Sequence, residues 1–299
     1  MKLYAPAYYI RFRCIADRCR HSCCIGWEID VDDDTLSRYA ALTDGYGKEI
    51  AASIDHEGDP HFRLADGERC PHLDDHGLCR IITALGDGYL CDICREHPRF
   101  YNDTAYGREV GLGMACEEAC RLILEADDYQ SMVVLEENAD TCESVDFDAV
   151  SHRSAIYAVL SDVTVSYADR LRRIAETYDL SLTDRTDGEW RDILSSLEYL
   201  HDEHRPLFAS YSSDPVTPPM LQKPLERAFA YLIYRHGTSA TDGEEFRASL
   251  GFCLFSERLL ASMARTMPGE DIAELARILS EELEYSEDNT DELKSAVLL

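Results

Sequence analysis

The sequence predicts a mainly α-helical protein in which a loop-rich, cysteine-rich region precedes a run of helices. Ten of its 12 cysteines fall in the first 120 residues, among many glycines and turn residues. Beyond about residue 150, apolar residues recur with the helical period and polar residues stand where helices begin. We therefore expect a cysteine-rich metal-binding domain at 1–125 and an α-helical domain at 126–299.

The first region is predicted to be mixed in structure. Aspartates at 32–34 can begin a helix before Leu36, and the segment 77–86, bounded by glycines, predicts a short helix. Alternation of apolar residues with glycine and charge predicts a strand at 106–114. A helix is expected from Cys116 to Leu124, because two glutamates in its first turn complement the helix dipole.

The second region is predicted to be a series of helices. Thr186 with Glu189, and Thr241 with Glu244, have the spacing of capping boxes, which satisfy first-turn amides. Prolines at 215, 218 and 219 indicate a loop before a helix, and the polar stretch 136–151 is expected to connect the two regions. The predicted helices are 149–160, 164–179, 187–203, 219–236, 242–267, 269–285 and 290–298.

Charge and apolar patterning exclude several classes of protein. The formal net charge of −29 argues against nucleic-acid binding, which needs a positive surface, and permits attraction to a lysine-bearing partner. No apolar run is long enough to span a membrane, and the N-terminus makes a poor signal peptide. We expect a cytoplasmic protein, where clustered thiols bind metal more often than they form disulfides. Zinc and an iron–sulfur cluster both suit thiolates.

The cysteines and their neighbours form an extended motif. It reads Cys-x4-Cys-x3-Cys-Cys-x-Gly-Trp over 14–27, then Cys-Pro-His-Leu at 70–73, Gly-Leu-Cys at 77–79, Cys-Arg-Glu-His-Pro-Arg at 94–99 and Cys-Glu-Glu-Ala at 116–119. This order resembles the flagellin lysine-N-methylase family, part of a wider group of cysteine-cluster proteins that chelate zinc or iron. The stretch 231–236, Tyr-Leu-Ile-Tyr-Arg-His, is also similar to an aromatic-Arg-His segment of that family.

The resemblance implies a metal site and an activity. Eight cysteines match the motif and are the implied ligands of a [4Fe–4S] cluster or of zinc: Cys14, Cys19, Cys23, Cys24, Cys70, Cys79, Cys94 and Cys116. The implied activity is methyl transfer from S-adenosylmethionine to exposed lysines of a protein, with flagellin as the family's substrate. The motif assigns no catalytic residue.

Three side chains are candidates for binding the methyl donor. An aromatic face can hold a sulfonium through a cation–π contact, and Trp27 lies inside the motif. Arg95 and Arg99 could each bind a carboxylate of the cofactor or of the substrate. The alternative is that both arginines pair with local acids and that His97 lies on the surface.

Two other functions stay open. The chain carries no complete glycine-rich dinucleotide motif, so the usual adenosylmethionine-binding fold gains no support. A non-catalytic metal-binding protein and an iron–sulfur redox protein are therefore kept as alternatives to a methyltransferase. Cys91 and Cys120 are extra to the motif and are predicted to be dispensable. Cys142 and Cys253 lie outside it and are expected to act as small buried hydrophobic residues.

Overall fold

The computed structural model describes residues 1–137, 145–213 and 217–298. It is mainly helical with a little sheet, so the predicted fold class is confirmed. The strands are β1 (Leu3–Pro6), β2 (Ile54–Asp55), β3 (His61–Phe62), β4 (Arg99–Thr104), β5 (Gly107–Leu112) and β6 (Met132–Glu136). The helices are α1 (Asp33–Ala40), α2 (Gly45–Ser53), α3 (Arg80–Leu85), α4 (Asp92–Glu96), α5 (Glu117–Glu125), α6 (Ala149–Leu160), α7 (Tyr167–Thr177), α8 (Asp187–Ser196), α9 (Arg205–Phe208), α10 (Pro219–Leu232), α11 (Gly243–Thr266), α12 (Ile272–Leu279) and α13 (Glu287–Ala296).

The chain forms two compact units. The cysteine unit is Arg13–Arg99, and the helical unit joins Met1–Phe12 to the described chain from Phe100 onward. Composition placed a boundary near residue 125, whereas β5 and α5 belong to the helical unit. Strand pairing is the reason, because β1 runs parallel to β5 and antiparallel to β6 in a sheet of order β4-β5-β1-β6.

The cysteine unit has a small core. Its buried residues include Ile29, Tyr39, Ile50 and Phe62, and β2 and β3 form a two-stranded sheet. Asp32 caps α1 by accepting the amide of Thr35 at 2.8 Å, as the sequence predicted, and it also accepts the amide of Asp92 at 2.8 Å. One carboxylate therefore joins the first turns of α1 and α4.

The helical unit has the larger core. α10 packs against α5 and α11, and aromatic rings fill the space beside α11. Trp190 is buried with its ring centroid 4.7 Å from that of Phe255, which in turn stacks on Tyr211 at 4.8 Å. Cys253 is fully buried in this core, which confirms its prediction as a small hydrophobic residue.

Several helix ends differ from prediction. The capping box of Thr186 and Glu189 is present at α8. At α11, Asp242 caps the helix in place of Thr241, because its carboxylate accepts the amides of Glu244 and Glu245. The helix predicted at 187–203 ends at Ser196, where the backbone turns extended, and α9 follows after a short 3₁₀ turn.

Two predicted α-helices continue as π-helix. α10 passes into a π-helical segment at Ile233–Gly237, and α12 passes into another at Ser280–Glu284. The two segments meet through buried side chains, because His236 Nε2 lies 2.7 Å from Glu284 Oε1. Burial tends to raise the pKa of Glu284, but Arg235 and the hydrogen bond from His236 outweigh it and lower that pKa.

Two sequence predictions fall outside the described residues. Cys142 and Pro215 belong to the segments 138–144 and 214–216, and the first of these covers much of the expected connection at 136–151. Within the described chain, no helix combines the length and the apolar character that crossing a membrane requires.

Glu257 is a buried acid with few partners. Tyr167 donates a hydrogen bond to Glu257 Oε1 at 3.0 Å, and Arg258 Nε lies 3.9 Å from its other oxygen. Burial raises the pKa of Glu257 to about 7. The folded state thus retains a proton that the unfolded state loses, so the protein loses stability as the pH rises from about 4.5 to about 7.

We expect Glu257→Gln to remove this pH dependence, because the amide stays neutral and can still accept from Tyr167. From pH 5 to pH 8 the wild type should lose roughly 2–3 kcal/mol of unfolding free energy that the variant does not lose. Urea unfolding at both pH values measures it. Glu176→Gln, on an exposed site, is the control and should follow the wild-type profile. Parallel profiles for all three proteins would contradict the assignment.

Candidate functional site

Five cysteines gather within the cysteine unit. Cys70 and Cys91 are buried in its core, and Cys24, Cys79 and Cys94 pack against the same core. We refer to these five residues as the thiol group. Four of them belong to the eight ligands implied by the motif, and the fifth, Cys91, was predicted to be dispensable.

Backbone contacts hold the thiol group in place. The amide of Cys70 donates to the carbonyl of Cys24 at 2.8 Å, which joins the first cysteine run to the Cys-Pro-His-Leu segment. Cys79 precedes α3 and bridges to Leu73, while Cys91 precedes α4, which carries Cys94. Three separated parts of the sequence therefore converge on one place.

His72 supports the loop between Cys70 and Cys79. It is buried, and its Nε2 lies 2.9 Å from Ser53 Oγ. Ser53 Oγ donates to the carbonyl of Ile50 at 2.7 Å, so it accepts from His72 Nε2–H. The other ring nitrogen lies 3.3 Å from Tyr46 OH. Burial lowers the pKa of His72 to about 4, so the ring is neutral. The tautomer with its proton on Nε2 accounts for both hydrogen bonds, because the other nitrogen can then accept from Tyr46 OH.

The thiols of this group influence one another electrostatically. Burial raises the pKa of Cys70 to about 12, and the charges of Cys24, Cys79 and Cys91 raise it further. The hydrogen bond from Cys94 lowers the pKa of Cys91, while that same bond and burial raise the pKa of Cys94. Without a cation, these thiols cannot all ionise together, because each thiolate opposes the next.

One thiol of the group ionises more readily than the others. A hydrogen bond from Cys23 lowers the pKa of Cys24 to about 7, and Ser22 and Arg69 act in the same direction against burial. The Cys24 amide also donates to Ser22 Oγ at 3.3 Å. Cys23 therefore acts on the thiol group through its neighbour, while its own side chain is exposed.

The other predicted ligands are not members of the thiol group. Cys14 is exposed, and Cys19 Sγ donates to the carbonyl of His21 at 3.2 Å. Cys116 belongs to the helical unit, where it precedes α5. Cys120, also in the helical unit, is fully buried with its Sγ 3.2 Å from the carbonyl of Ala273.

Trp27 and His97 pack together in the same unit. Trp27 Nε1 donates to the carbonyl of Cys23 at 2.5 Å, and the indole meets the His97 ring edge-on with centroids 5.6 Å apart. His97 is half-buried, and desolvation followed by the charge of Arg99 lowers its pKa to about 4. A half-buried aromatic face is therefore fixed beside the first cysteine run.

The two candidate arginines have different surroundings. Arg95 forms ion pairs with Asp92 and, at 3.4 Å, with Glu96, as the alternative of local pairing anticipated. Arg99 Nη1 donates to the carbonyl of Arg95 at 3.0 Å. Arg95 would have to give up these ion pairs to bind an external carboxylate.

Sulfur spacing distinguishes two kinds of metal site. Tetrahedral zinc with bonds of about 2.3 Å holds its sulfurs roughly 3.8 Å apart. Within the described residues, no three cysteine sulfurs all lie within 4.8 Å of one another. In a cubane cluster each thiolate binds a different iron, so a wider spacing is compatible with that group.

Comparison with known proteins identifies three relatives. The chain is 34% identical over 137 residues to a lysine-N-methylase of Salmonella typhimurium and 33% identical over 137 residues to that of Salmonella choleraesuis. It is 32% identical over 137 residues to the flagellar biosynthetic protein FliU of Salmonella muenchen.

These matches differ in how much of each protein they cover. Each spans 42% of this chain. The matched segment covers 33% of the length of both lysine-N-methylases and 79% of FliU. No protein-family profile and no solved structure matches the chain.

We expect Ser53→Ala to loosen the loop that carries Cys70 and Cys79, because it leaves His72 Nε2–H buried without an acceptor. The cost should be about 1–3 kcal/mol. Hydrogen exchange of the Arg80 amide, which donates to the His72 carbonyl at 2.8 Å, reports it locally. Ser195→Ala, whose exposed hydroxyl bonds only within α8, is the control. Unchanged exchange in Ser53→Ala would show that His72 is held by its other contacts.

Proposed function

Since this chain belongs to the flagellin lysine-N-methylase family, we propose that it transfers a methyl group from S-adenosylmethionine to lysine side chains of a protein. The similarity to lysine-N-methylases is the observation that carries this proposal. The chain's match spans a third of those relatives, so the donor, the substrate and the partner are all part of the proposal.

We propose further that the thiol group holds a metal centre. Five converging cysteines provide more thiolates than a four-ligand site needs, and a cation would remove the mutual repulsion that opposes their ionisation. Thiolates suit zinc and iron–sulfur clusters alike, and we propose a [4Fe–4S] cluster in preference to zinc. In this proposal the ligands come from Cys24, Cys70, Cys79, Cys91 and Cys94, which includes one cysteine that the motif omitted.

Methyl transfer requires a neutral amine aligned with the sulfonium methyl. The fixed indole of Trp27 offers a face for the sulfonium or for the substrate ammonium. Arg95 and Arg99 are the two arginines proposed to bind the cofactor carboxylate, and Arg95 would exchange its ion pairs with acids of its own helix to do so. His97 is a weak base because its pKa is low, so its role in this proposal is to position Trp27.

The proposed partner is a lysine-bearing protein, and flagellin is the best candidate because one relative is a flagellar biosynthetic protein. The strongly acidic chain would attract a basic segment. A cytoplasmic location is proposed because it keeps the thiols reduced. The thiol group taken alone would equally suit a non-catalytic metal-binding protein or a redox protein, and the experiments below distinguish these.

We expect full-length, metal-replete protein purified without oxygen to transfer label from S-adenosylmethionine to lysines of flagellin. Trp27→Ala should reduce transfer about tenfold, whereas Trp27→Phe, which keeps an aromatic face, should lose less. Arg99→Ala should raise the KM for the methyl donor, and Arg99→Lys should recover part of the loss. Scintillation counting and peptide mass spectrometry measure the product.

The same experiment distinguishes methyl transfer from the metal-binding and redox functions. If the metal-replete protein binds no S-adenosylmethionine, the methyltransferase proposal fails and the metal-binding function is favoured. A reversible redox couple without methyl transfer would favour the redox protein. Transfer that is undiminished in both alanine variants would keep the activity and move its site away from Trp27 and Arg99.

We expect the anaerobic protein to contain iron and sulfide and to show the broad visible absorption of an iron–sulfur cluster. Cys91→Ser should lower the metal content, because it removes a buried thiol of the group. Cys120→Ser, in the helical unit, is the matched control and should retain full metal content. Stoichiometric zinc in a colourless protein would reject the cluster, and full metal content in Cys91→Ser would exclude that cysteine as a ligand.

A further inference from the structure

We propose that His204, Glu281 and Glu282 of the helical unit form a binding site for a divalent transition-metal ion, separate from the thiol group. One potential ligand atom of each side chain lies within 4.8 Å of the other two. His204 comes from the turn before α9, and the glutamates come from the π-helical segment Ser280–Glu284. Two segments about 77 residues apart in the chain thus supply one nitrogen and two carboxylate ligands.

The ligands are held in a protected place. The Glu282 side chain is fully buried, and those of His204 and Glu281 are 15% and 21% exposed. Surface acids come together often without a metal, but such acids are exposed, whereas these are largely withdrawn from water. A buried carboxylate is expensive unless a proton donor or a cation compensates it.

Glu282 is already oriented by the backbone. Its Oε2 accepts the amide of Leu200 at 2.7 Å, and its Oε1 accepts the amide of His201 at 3.2 Å. His204 Nδ1 lies 2.6 Å from the same Oε1. Such supporting hydrogen bonds fix a carboxylate ligand before the metal arrives, and a carboxylate retains lone pairs beyond those that these donors use.

Glu281 carries the observation that points to a missing ligand. Its Oε2 is buried and has no hydrogen-bond partner within the described residues. The other oxygen, Oε1, lies 2.9 Å from Arg277 Nη1, an ion pair in which that nitrogen likewise makes no hydrogen bond within the described residues. Buried unpaired oxygens are uncommon in folded proteins, and an ion or a water is the usual explanation.

The local charge balance agrees with a cation. Arg277 is buried and is the guanidinium that faces this cluster, but it is shared with Glu274, which accepts from its Nη2 at 3.0 Å. Three carboxylates, those of Glu274, Glu281 and Glu282, therefore stand against one guanidinium and one imidazole. A divalent ion would neutralise the excess.

The donor set indicates which metals fit. Imidazole suits zinc and iron, carboxylates suit manganese, and neither donor favours the soft ions that thiolates select. His201 is a possible additional ligand, since its ring centroid lies 5.2 Å from that of His204. The site would therefore take a borderline first-row ion such as Mn²⁺, Fe²⁺ or Zn²⁺.

Mn²⁺ is the probe that separates this site from the thiol group, because it binds carboxylate and imidazole ligands well and thiolates poorly. Titration of the full-length protein, followed by the EPR signal of free Mn²⁺, should show one saturable ion per chain. Glu281→Gln and His204→Gln should each weaken binding at least tenfold. Glu176→Gln, which changes an exposed acid outside the cluster, and Cys91→Ser should each bind as the wild type does.

Folding of each variant is checked by circular dichroism and by its melting temperature. If His204→Gln fails to fold, Glu281→Gln becomes the test of the ion site. It is expected to fold, because the Glu281 side chain is partly exposed and the substitution removes no buried hydrogen-bond donor. Mn²⁺ should raise the melting temperature of the wild type and not that of Glu281→Gln. Absence of saturable binding, or equal affinity in wild type and Glu281→Gln, would overturn the proposal. Methyl transfer by the same preparations is a separate readout.

Discussion

The crowding of five thiols is the constraint on which the cysteine unit depends. Its apolar core is small, and two of its buried residues are themselves cysteines. The thiols raise and lower one another's pKa values, so the charged form of the whole group is unfavourable in isolation. If a metal binds there, as we propose, its binding free energy becomes part of the folding free energy of the unit. The supporting contacts of Asp32 and His72 then fix the loops that bring the ligands together.

The helical unit meets a different constraint, which is the burial of charge. Arg153 is buried, and its guanidinium binds both oxygens of Glu109 at 2.6 and 2.9 Å. Arg170 binds one oxygen of Glu226 at 2.7 Å. These pairs join helices to the sheet and to one another, and removing either partner would leave an uncompensated charge.

The two π-helical segments concentrate this buried charge. One carries His236 and the other carries Glu282 and Glu284, so two of the buried acids of the unit come from a single widened turn. Such turns recur at functional sites in proteins, because an extra residue re-aims the side chains that follow it. Glu284 accepts hydrogen bonds from Tyr231 and His236, whereas Oε2 of Glu281 in the same segment has no hydrogen-bond partner within the described residues, and that difference motivates the proposed ion site.

The sequence by itself determined the fold class, most of the helices and the region in which the cysteines act, because hydrophobic period, caps and motif spacing are local properties. It could not determine that Cys91 joins Cys24 and Cys70, since their convergence depends on contacts between loops far apart in the chain. The pairing of β1 with β5 and β6, and the approach of His204 to Glu281 and Glu282, are likewise long-range. Local patterns record how each segment folds, whereas packing of the whole unit decides which distant side chains meet.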